Sequence, residues 1–184
     1  MWIWGSGSDS GSGGSIWNDT SQDPSSLMDI DCILRSFWHV GYDQFRCNDL
    51  NLSYSRIAAM YNSQFNTNIV NDGGVKVKNV TAFFAKYFEF GESFPVDNLA
   101  SEYANKTFNG NMHAITKQTS NGKTRYHSVI IKEIRSGKIF IHDPSADGNE
   151  KNYNVNFSEA STKLYGNIFT LTGARACSSG GSGY

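Results

Sequence analysis

The sequence predicts an α+β fold in which a helical half is followed by an antiparallel sheet. Apolar residues recur at helical spacing in several segments before residue 110, and segments rich in Val and Ile follow, two of them joined by a tight turn. Helices and strands that are segregated along the chain are typical of α+β domains. The 184 residues suffice for about one domain with a proper core.

The ends of the chain differ in composition from its middle. Residues 1–20 contain the run G-S-G-S-D-S-G-S-G-G-S and residues 174–184 are also Gly/Ser-rich, so we expect flexible segments on either side of a domain over residues 21–173. No signal peptide is predicted, and no apolar run approaches the roughly 20 residues that span a bilayer. The formal net charge of -1 does not suggest nucleic acid or an anionic membrane as a partner. We therefore expect a soluble chain.

The first predicted helix, Asp29–Val40, contains a cysteine in its first turn. Asp29 or Asp31 is the expected N-cap, and Gly41 is the expected end. Cys32 then lies where the helix dipole and the free backbone amides stabilise a thiolate. The apolar stripe that predicts this helix consists of Ile30, Ile33, Leu34, Phe37 and Trp38.

The later elements follow the same two patterns. Helices are predicted over Ser53–Phe65 and Lys78–Phe90, and another helical turn or two within Asn98–Thr107. From Asn111 the pattern changes to that of β-strands. The predicted strands outside the central hairpin are Met112–Gln118, Asn152–Phe157 and Asn167–Thr172.

The central hairpin lies within Arg125–Asp147 and carries a histidine and an aspartate at its open end. Val and Ile occur on both faces of each strand, with Val129 and Ile131 on one face and Ile130 and Ile134 on the other, so the hairpin should be buried in the middle of the sheet.

The type of turn decides where the two polar residues of the hairpin lie. If residues 135–137 form a three-residue loop, Ile134 pairs with Lys138 and Asp143 lies opposite Val129, diagonally adjacent to His127. A two-residue loop would place the imidazole and the carboxylate on opposite faces.

A thiol, an imidazole and a carboxylate in this order suggest nucleophilic catalysis. A cysteine nucleophile needs a neighbouring imidazole to take and return a proton, and a carboxylate orients the imidazole. Cys32, His127 and Asp143 supply these three groups. As isolated residues they have structural explanations: a buried small apolar side chain, a strand histidine and a turn-starting aspartate.

The motifs Asp31-Cys32, Gly41-Tyr42, H-S-V-I-I from His127 and Asp143-Pro144 resemble those of papain-like cysteine peptidases, and more closely the C39-like (double-glycine leader) peptidases. The resemblance covers about 125 residues. It implies a papain-like fold in which an N-terminal helical half packs on a C-terminal antiparallel sheet. It also implies a Cys-His-Asp triad, a peptide or protein substrate cut after small residues such as Gly-Gly, and no cofactor.

The resemblance also implies a glutamine whose amide binds the oxyanion. Such a glutamine usually stands about six residues before the cysteine, but Ser26 occupies that place, and Gln22 is the nearest candidate. The family usually has Gly after the cysteine, where this chain has Ile33.

Two other classes of function fit the same residues. An amidase or toxin-like effector would use the same triad on a peptidoglycan stem peptide or a host protein. A catalytically inactive relative would retain the fold as a peptide-binding module. A screen across peptides and cell-wall fragments distinguishes the first class from a peptidase, and the reactivity of the Cys32 thiol distinguishes the second.

The remaining histidines and cysteines have weaker patterns. His39 is expected on the solvated side of the first helix. His113 and His142 could bind zinc with His127, but no H-x-H or HExxH spacing supports such a site. Cys47 and Cys177 are either a disulfide or two unrelated thiols.

Overall fold

The computed structural model describes residues 27–28, 30–72, 74–144 and 150–177. The predicted flexible segment over residues 1–20 lies outside the described residues, as do Gln22 and residues 178–184.

The helices largely match the prediction. The described helices are α1 (Ile30–Trp38), α2 (Tyr54–Phe65), α3 (Val77–Tyr87), α4 (Leu99–Glu102) and α5 (Ala160–Lys163). Ser53 caps α2, because its side-chain oxygen accepts a hydrogen bond from the backbone N–H of Arg56. The helical turn or two predicted within Asn98–Thr107 is present as α4, which ends at Glu102. The prediction extended α3 too far, because a strand begins at Phe88.

Most of the strands form one antiparallel sheet. A short pair joins β1 (Leu27–Met28) to β2 (Val75–Lys76). The six-stranded sheet has the order β3-β8-β4-β5-β6-β7. Its strands are β3 (Phe88–Pro95), β4 (Phe108–Ser120), β5 (Lys123–Arg135), β6 (Lys138–Asp143), β7 (Lys151–Asn156) and β8 (Leu164–Ala174). The hairpin of β5 and β6 is therefore interior to the sheet, as predicted.

The turn between β5 and β6 differs from the predicted three-residue loop. Arg135 pairs with Lys138, so the loop contains only Ser136 and Gly137, with φ of 50° and 72°. Positive φ at both central residues is typical of the tight turns that match strand twist. The predicted pairing of Ile134 with Lys138 is wrong by one residue.

A β-bulge at Lys132 compensates for the shorter turn. It adds one unpaired residue to β5, so that Ile130 pairs with His142. The next step along both strands aligns Val129 with Asp143, which is the predicted alignment. The two deviations from the predicted geometry therefore cancel at the open end of the hairpin.

Both faces of the sheet are covered by apolar residues. Ile130 packs in the core beneath α1, α2 and α3, whereas Val129 and Ile131 pack in a second core on the opposite face. Ile134 belongs to the second core, although it was predicted to share the face of Ile130. The bulge explains this error, because an extra residue reverses the alternation of side chains beyond it.

The end of the first helix also differs from the prediction. Beyond Trp38 the chain continues as a π-helix over His39–Gln44, so Gly41 lies inside it. A Cβ on Gly41 would lie 2.9 Å from Leu50, and the glycine therefore permits this close approach. Asp31 lies within α1 and is not its N-cap, while Asp29 lies outside the described residues.

A disulfide between Cys47 and Cys177 joins the helical half to the end of the sheet. Their Cα atoms are 5.6 Å apart. The prediction therefore placed the start of the C-terminal tail too early, at residue 174, since Ala174 ends β8 and Cys177 is cross-linked. Within the described part of the chain, no helix combines the length and hydropathy needed to cross a bilayer.

Candidate functional site

The imidazole of His127 and the carboxylate of Asp143 form a buried pair. Nε2 of His127 lies 2.7 Å from Oδ2 of Asp143, and the two residues are 5% and 3% exposed. An ionised carboxylate only accepts hydrogen bonds, so Nε2 carries the proton in a neutral ring and Nδ1 carries the lone pair. The arrangement fixes both the orientation and the tautomer of the imidazole.

Cys32 lies beside the strand that carries His127. It is the third residue of α1, it is only 2% exposed, and it takes no part in a disulfide. Its Sγ accepts a hydrogen bond from the backbone N–H of Ser128 at 3.4 Å. Because Ser128 directly follows His127, the helix start and the imidazole-bearing strand meet at this point.

Ser36 and Ser128 complete the contact between α1 and β5, and the sequence analysis missed both. Ser36 lies one helical turn beyond Cys32, and its Oγ donates a hydrogen bond to the carbonyl of Ser128 at 3.2 Å. Both residues are fully buried. The usable signal was the spacing of four residues, which places Cys32 and Ser36 on one side of a helix.

His113 supports the same contact from β4. Its Nε2 lies 2.8 Å from Oγ of Ser128, and its ring stacks on Phe84 with centroids 4.1 Å apart. Complete burial lowers the pKa of His113 to about 3, so the ring is neutral near pH 7.

The burial of His113 predicts a pH-dependent stability. In the unfolded chain this histidine takes up a proton below about pH 6.5, whereas in the folded chain it does so only near pH 3. Its contribution is fully present above pH 6.5 and is lost as the pH falls towards 3. We expect about 2 kcal/mol less stability at pH 5 than at pH 7 from this residue. Urea denaturation of the unsubstituted protein at both pH values should give a larger total loss, because the buried His39, whose pKa is lowered to about 4, adds its own contribution.

The control for this expectation is His113→Gln, which lacks the titrating ring but retains a polar group that can reach Ser128. Its stability should fall by about 2 kcal/mol less between the two pH values. An equal fall in both proteins would contradict the assignment to His113.

The expected exposure of His39 is wrong. The residue is 5% exposed, and its Nδ1 lies 3.2 Å from Oδ2 of Asp43. Its ring lies against that of His142 on β6, with centroids 4.6 Å apart. The π-helix accounts for this position, because its wider turn shifts residues away from the ordinary helical periodicity. Desolvation by burial lowers the pKa of His39 to about 4, aided by the neighbouring charge of Lys132.

A cavity of about 320 Å³ opens near this site, between α3 and the strands β4 and β8. His113 belongs to its lining and also contacts Ser128, whose backbone contacts Cys32. Contacts through His113 and Ser128 therefore connect the lining of the cavity to the Cys32 sulfur. Its lining residues are Val77, Lys78, Thr81, His113, Ile115, Tyr165, Gly166, Asn167 and Phe169.

Comparison with known proteins gives a structural similarity. No protein-family model and no curated protein matches the chain. Among solved structures, it is similar to the peptidase domain of Streptococcus ComA, a bifunctional ABC transporter involved in quorum sensing. The TM-score is 0.50 at 14% sequence identity, over 86% of this chain and 98% of that one. The similarity confirms the predicted α+β architecture, and the chain shares the fold of that peptidase domain.

Proposed function

We propose that the chain is a cysteine peptidase in which Cys32 is the nucleophile, His127 the general base and acid, and Asp143 the group that orients the imidazole. The observation that carries this proposal is the 2.7 Å hydrogen bond between His127 and Asp143. It lies beside Cys32, because Ser128, the residue after His127, donates its backbone N–H to the Cys32 sulfur. The fold shared with a peptidase domain supports it.

In the proposed mechanism, Nδ1 of His127 takes the thiol proton, because Nε2 is committed to Asp143. The thiolate attacks the peptide carbonyl carbon, and the carbonyl electrons move onto the oxygen. When the tetrahedral intermediate collapses, the C–N bond breaks and the imidazolium protonates the departing amine. His127 then deprotonates a water molecule, which hydrolyses the thioester and returns the thiol of Cys32.

The oxyanion of the intermediate needs hydrogen-bond donors. The backbone N–H of Cys32, at the start of α1, is the first candidate. The side-chain amide of Gln22 is the second and remains a proposal that rests on the resemblance alone. Loss of one such donor typically reduces kcat by about 10²–10³-fold.

The proposed substrate is an extended peptide with small residues, such as Gly-Gly, before the scissile bond. The burial of Cys32 supports this preference, because a carbonyl carbon reaches a sulfur that is only 2% exposed most easily when its neighbours lack bulky side chains. The cavity lined by Ile115 and Tyr165 offers an apolar site for a side chain further along the peptide.

Selective alkylation of Cys32 tests whether the thiol is activated. Cys47 and Cys177 are joined in a disulfide, so labelling of the folded protein with iodoacetamide reports on Cys32. At a mildly acidic pH an ordinary thiol is about 0.1% thiolate, whereas a thiol paired with an imidazole is largely ionised. We therefore expect labelling up to about 10³-fold faster than that of glutathione, and an equally large loss of rate in His127→Ala.

The same experiment distinguishes the second candidate function, a non-catalytic peptide-binding protein. The burial of Cys32 favours that alternative, because a thiol that is 2% exposed also suits a structural role. In that case, labelling would be slow in both the unsubstituted protein and His127→Ala. This outcome would contradict the peptidase proposal.

A further inference from the structure

Two histidines and a glutamate form a second cluster of polar side chains, where the π-helix meets the sheet. His39 comes from the π-helix, His142 from β6, and Glu150 precedes β7. One metal-ligating atom from each residue lies within 4.8 Å of the other two. His142 packs against His39 of the π-helix, whereas its neighbour Asp143 bonds to His127, so the cluster contains none of the proposed catalytic side chains.

The hydrogen bonds fix the tautomers of both rings. Nδ1 of His142 lies 2.9 Å from Oδ1 of Asn152, an amide oxygen that can only accept, so this nitrogen carries the proton. Nε2 of His39 accepts from the ammonium group of Lys132, so its proton lies on Nδ1, 3.2 Å from Oδ2 of Asp43. Each ring therefore has its lone pair on Nε2, and an oxygen partner at Nδ1 holds its orientation. Such partners are the usual second layer behind metal-binding histidines.

Nε2 of His142 is a buried atom without a hydrogen-bond partner among the described residues. The residue is only 6% exposed, and Oε2 of Glu150 lies 3.8 Å from this nitrogen. A buried acceptor without a partner is energetically unfavourable. In a tetrahedral zinc site with bonds of about 2.0–2.1 Å, neighbouring ligand atoms lie ~3.4 Å apart. A small movement of the exposed Glu150 would therefore place a cation between it and His142.

We propose that His39, His142 and Glu150 bind a divalent transition-metal ion of the zinc class, with water completing the coordination. Two neutral imidazoles and one carboxylate suit zinc, cobalt or nickel better than calcium or magnesium, which prefer oxygen ligands. The exposed side of the cluster, at Glu150, gives the ion a route from solvent.

Lys132, the residue at the β-bulge, competes with the metal. Its Nζ donates to Nε2 of His39 at 3.2 Å and to Oδ1 of Asn111 at 3.3 Å. The ammonium group thus occupies the lone pair that the metal needs. Metal binding displaces this hydrogen bond, while the bond to Asn111 can persist. Removal of the ammonium group should therefore strengthen metal binding.

The test is zinc titration of the full chain carrying Cys32→Ser, which removes the only thiol that is not in the disulfide. Isothermal titration calorimetry of chelator-treated protein should give about one zinc ion per chain. Cobalt serves as a spectroscopic probe, since its visible absorption reports coordination by nitrogen and oxygen ligands. Neither measurement depends on peptidase activity.

Variants in this background assign the ligands. His142→Asn should lower the zinc affinity at least about 100-fold, and Glu150→Gln, at an exposed position, about 10-fold. Lys132→Met should raise it about 10-fold by removing the competing charge. His127→Asn is the matched control, and its affinity should be unchanged. Circular dichroism checks that each variant is folded.

Three results would overturn the proposal. The first is an absence of zinc binding by the folded Cys32→Ser protein. The second is an affinity that neither Glu150→Gln nor His142→Asn lowers, or one that His127→Asn does lower, because the ion would then lie elsewhere. The third is an unchanged or weaker affinity in Lys132→Met, which would exclude Nε2 of His39 as a ligand.

Discussion

Cys32→Ala should reduce the cleavage of a peptide containing Gly-Gly by on the order of 10⁶-fold in kcat, close to the limit of detection. Alanine removes the sulfur that forms the thioester in the proposed mechanism, whereas the fold should tolerate the smaller side chain. Cleavage is measured by mass spectrometry of both product fragments, with a Leu-Leu peptide as the control substrate. The control peptide should be cut much more slowly by the unsubstituted protein.

The double variant Cys32→Ala/His127→Ala tests whether the two residues act as one catalytic unit. Groups that act as one catalytic unit are not additive, so the double variant should be about as inactive as either single variant. If instead the Cys32→Ala protein retained the original rate, the nucleophile would be a different residue. If the two losses multiplied, Cys32 and His127 would act independently.

Reduction of the Cys47–Cys177 disulfide should lower the free energy of unfolding by about 5 kcal/mol. The bond closes a loop with a sequence separation of 130 residues, and restricting so long a loop removes much conformational entropy from the unfolded chain. Such a loss approaches the total stability of many domains. Urea denaturation of the Cys32→Ser protein with and without reductant measures it, and the background substitution prevents thiol exchange.

The variant Cys47→Ala/Cys177→Ala is a second test of the disulfide's contribution to stability. It loses the same cross-link and also leaves space at Cys47, which is fully buried, so its stability should be slightly lower than that of the reduced protein. A change of less than about 1 kcal/mol on reduction would contradict the entropic explanation, because the unfolded chain would then be restricted in another way.

The elements with strong periodicity could be predicted from the sequence. The stripe of α1 and the Val/Ile pattern of the hairpin reflect burial, which the order of residues records directly. The pairing of His127 with Asp143 followed from the same reasoning, since a histidine and an aspartate at the open end of one hairpin lie close together once the strands align. The 2.7 Å distance agrees with that expectation.

The errors arise where tertiary packing overrides local pattern. The bulge at Lys132 and the two-residue turn at Ser136–Gly137 each change the strand alignment by one residue. Together they give the same alignment at the open end of the hairpin as a three-residue loop, and no local signal in the sequence distinguishes the two geometries. His39 was expected in solvent because an α-helical period was assumed, but the π-helix rotates it towards His142. The sequence analysis gave Ser128 no role, because its three partners come from other elements of the fold.

Those three partners of Ser128 have a consequence for how the chain receives a ligand. Its N–H, its carbonyl and its hydroxyl are each bonded to a different side chain, from Cys32, Ser36 and His113. The neighbouring main chain of His127 cannot shift without breaking these bonds. The proposed site is thus preorganised, and the proposed peptide substrate would need to supply little binding energy to align it.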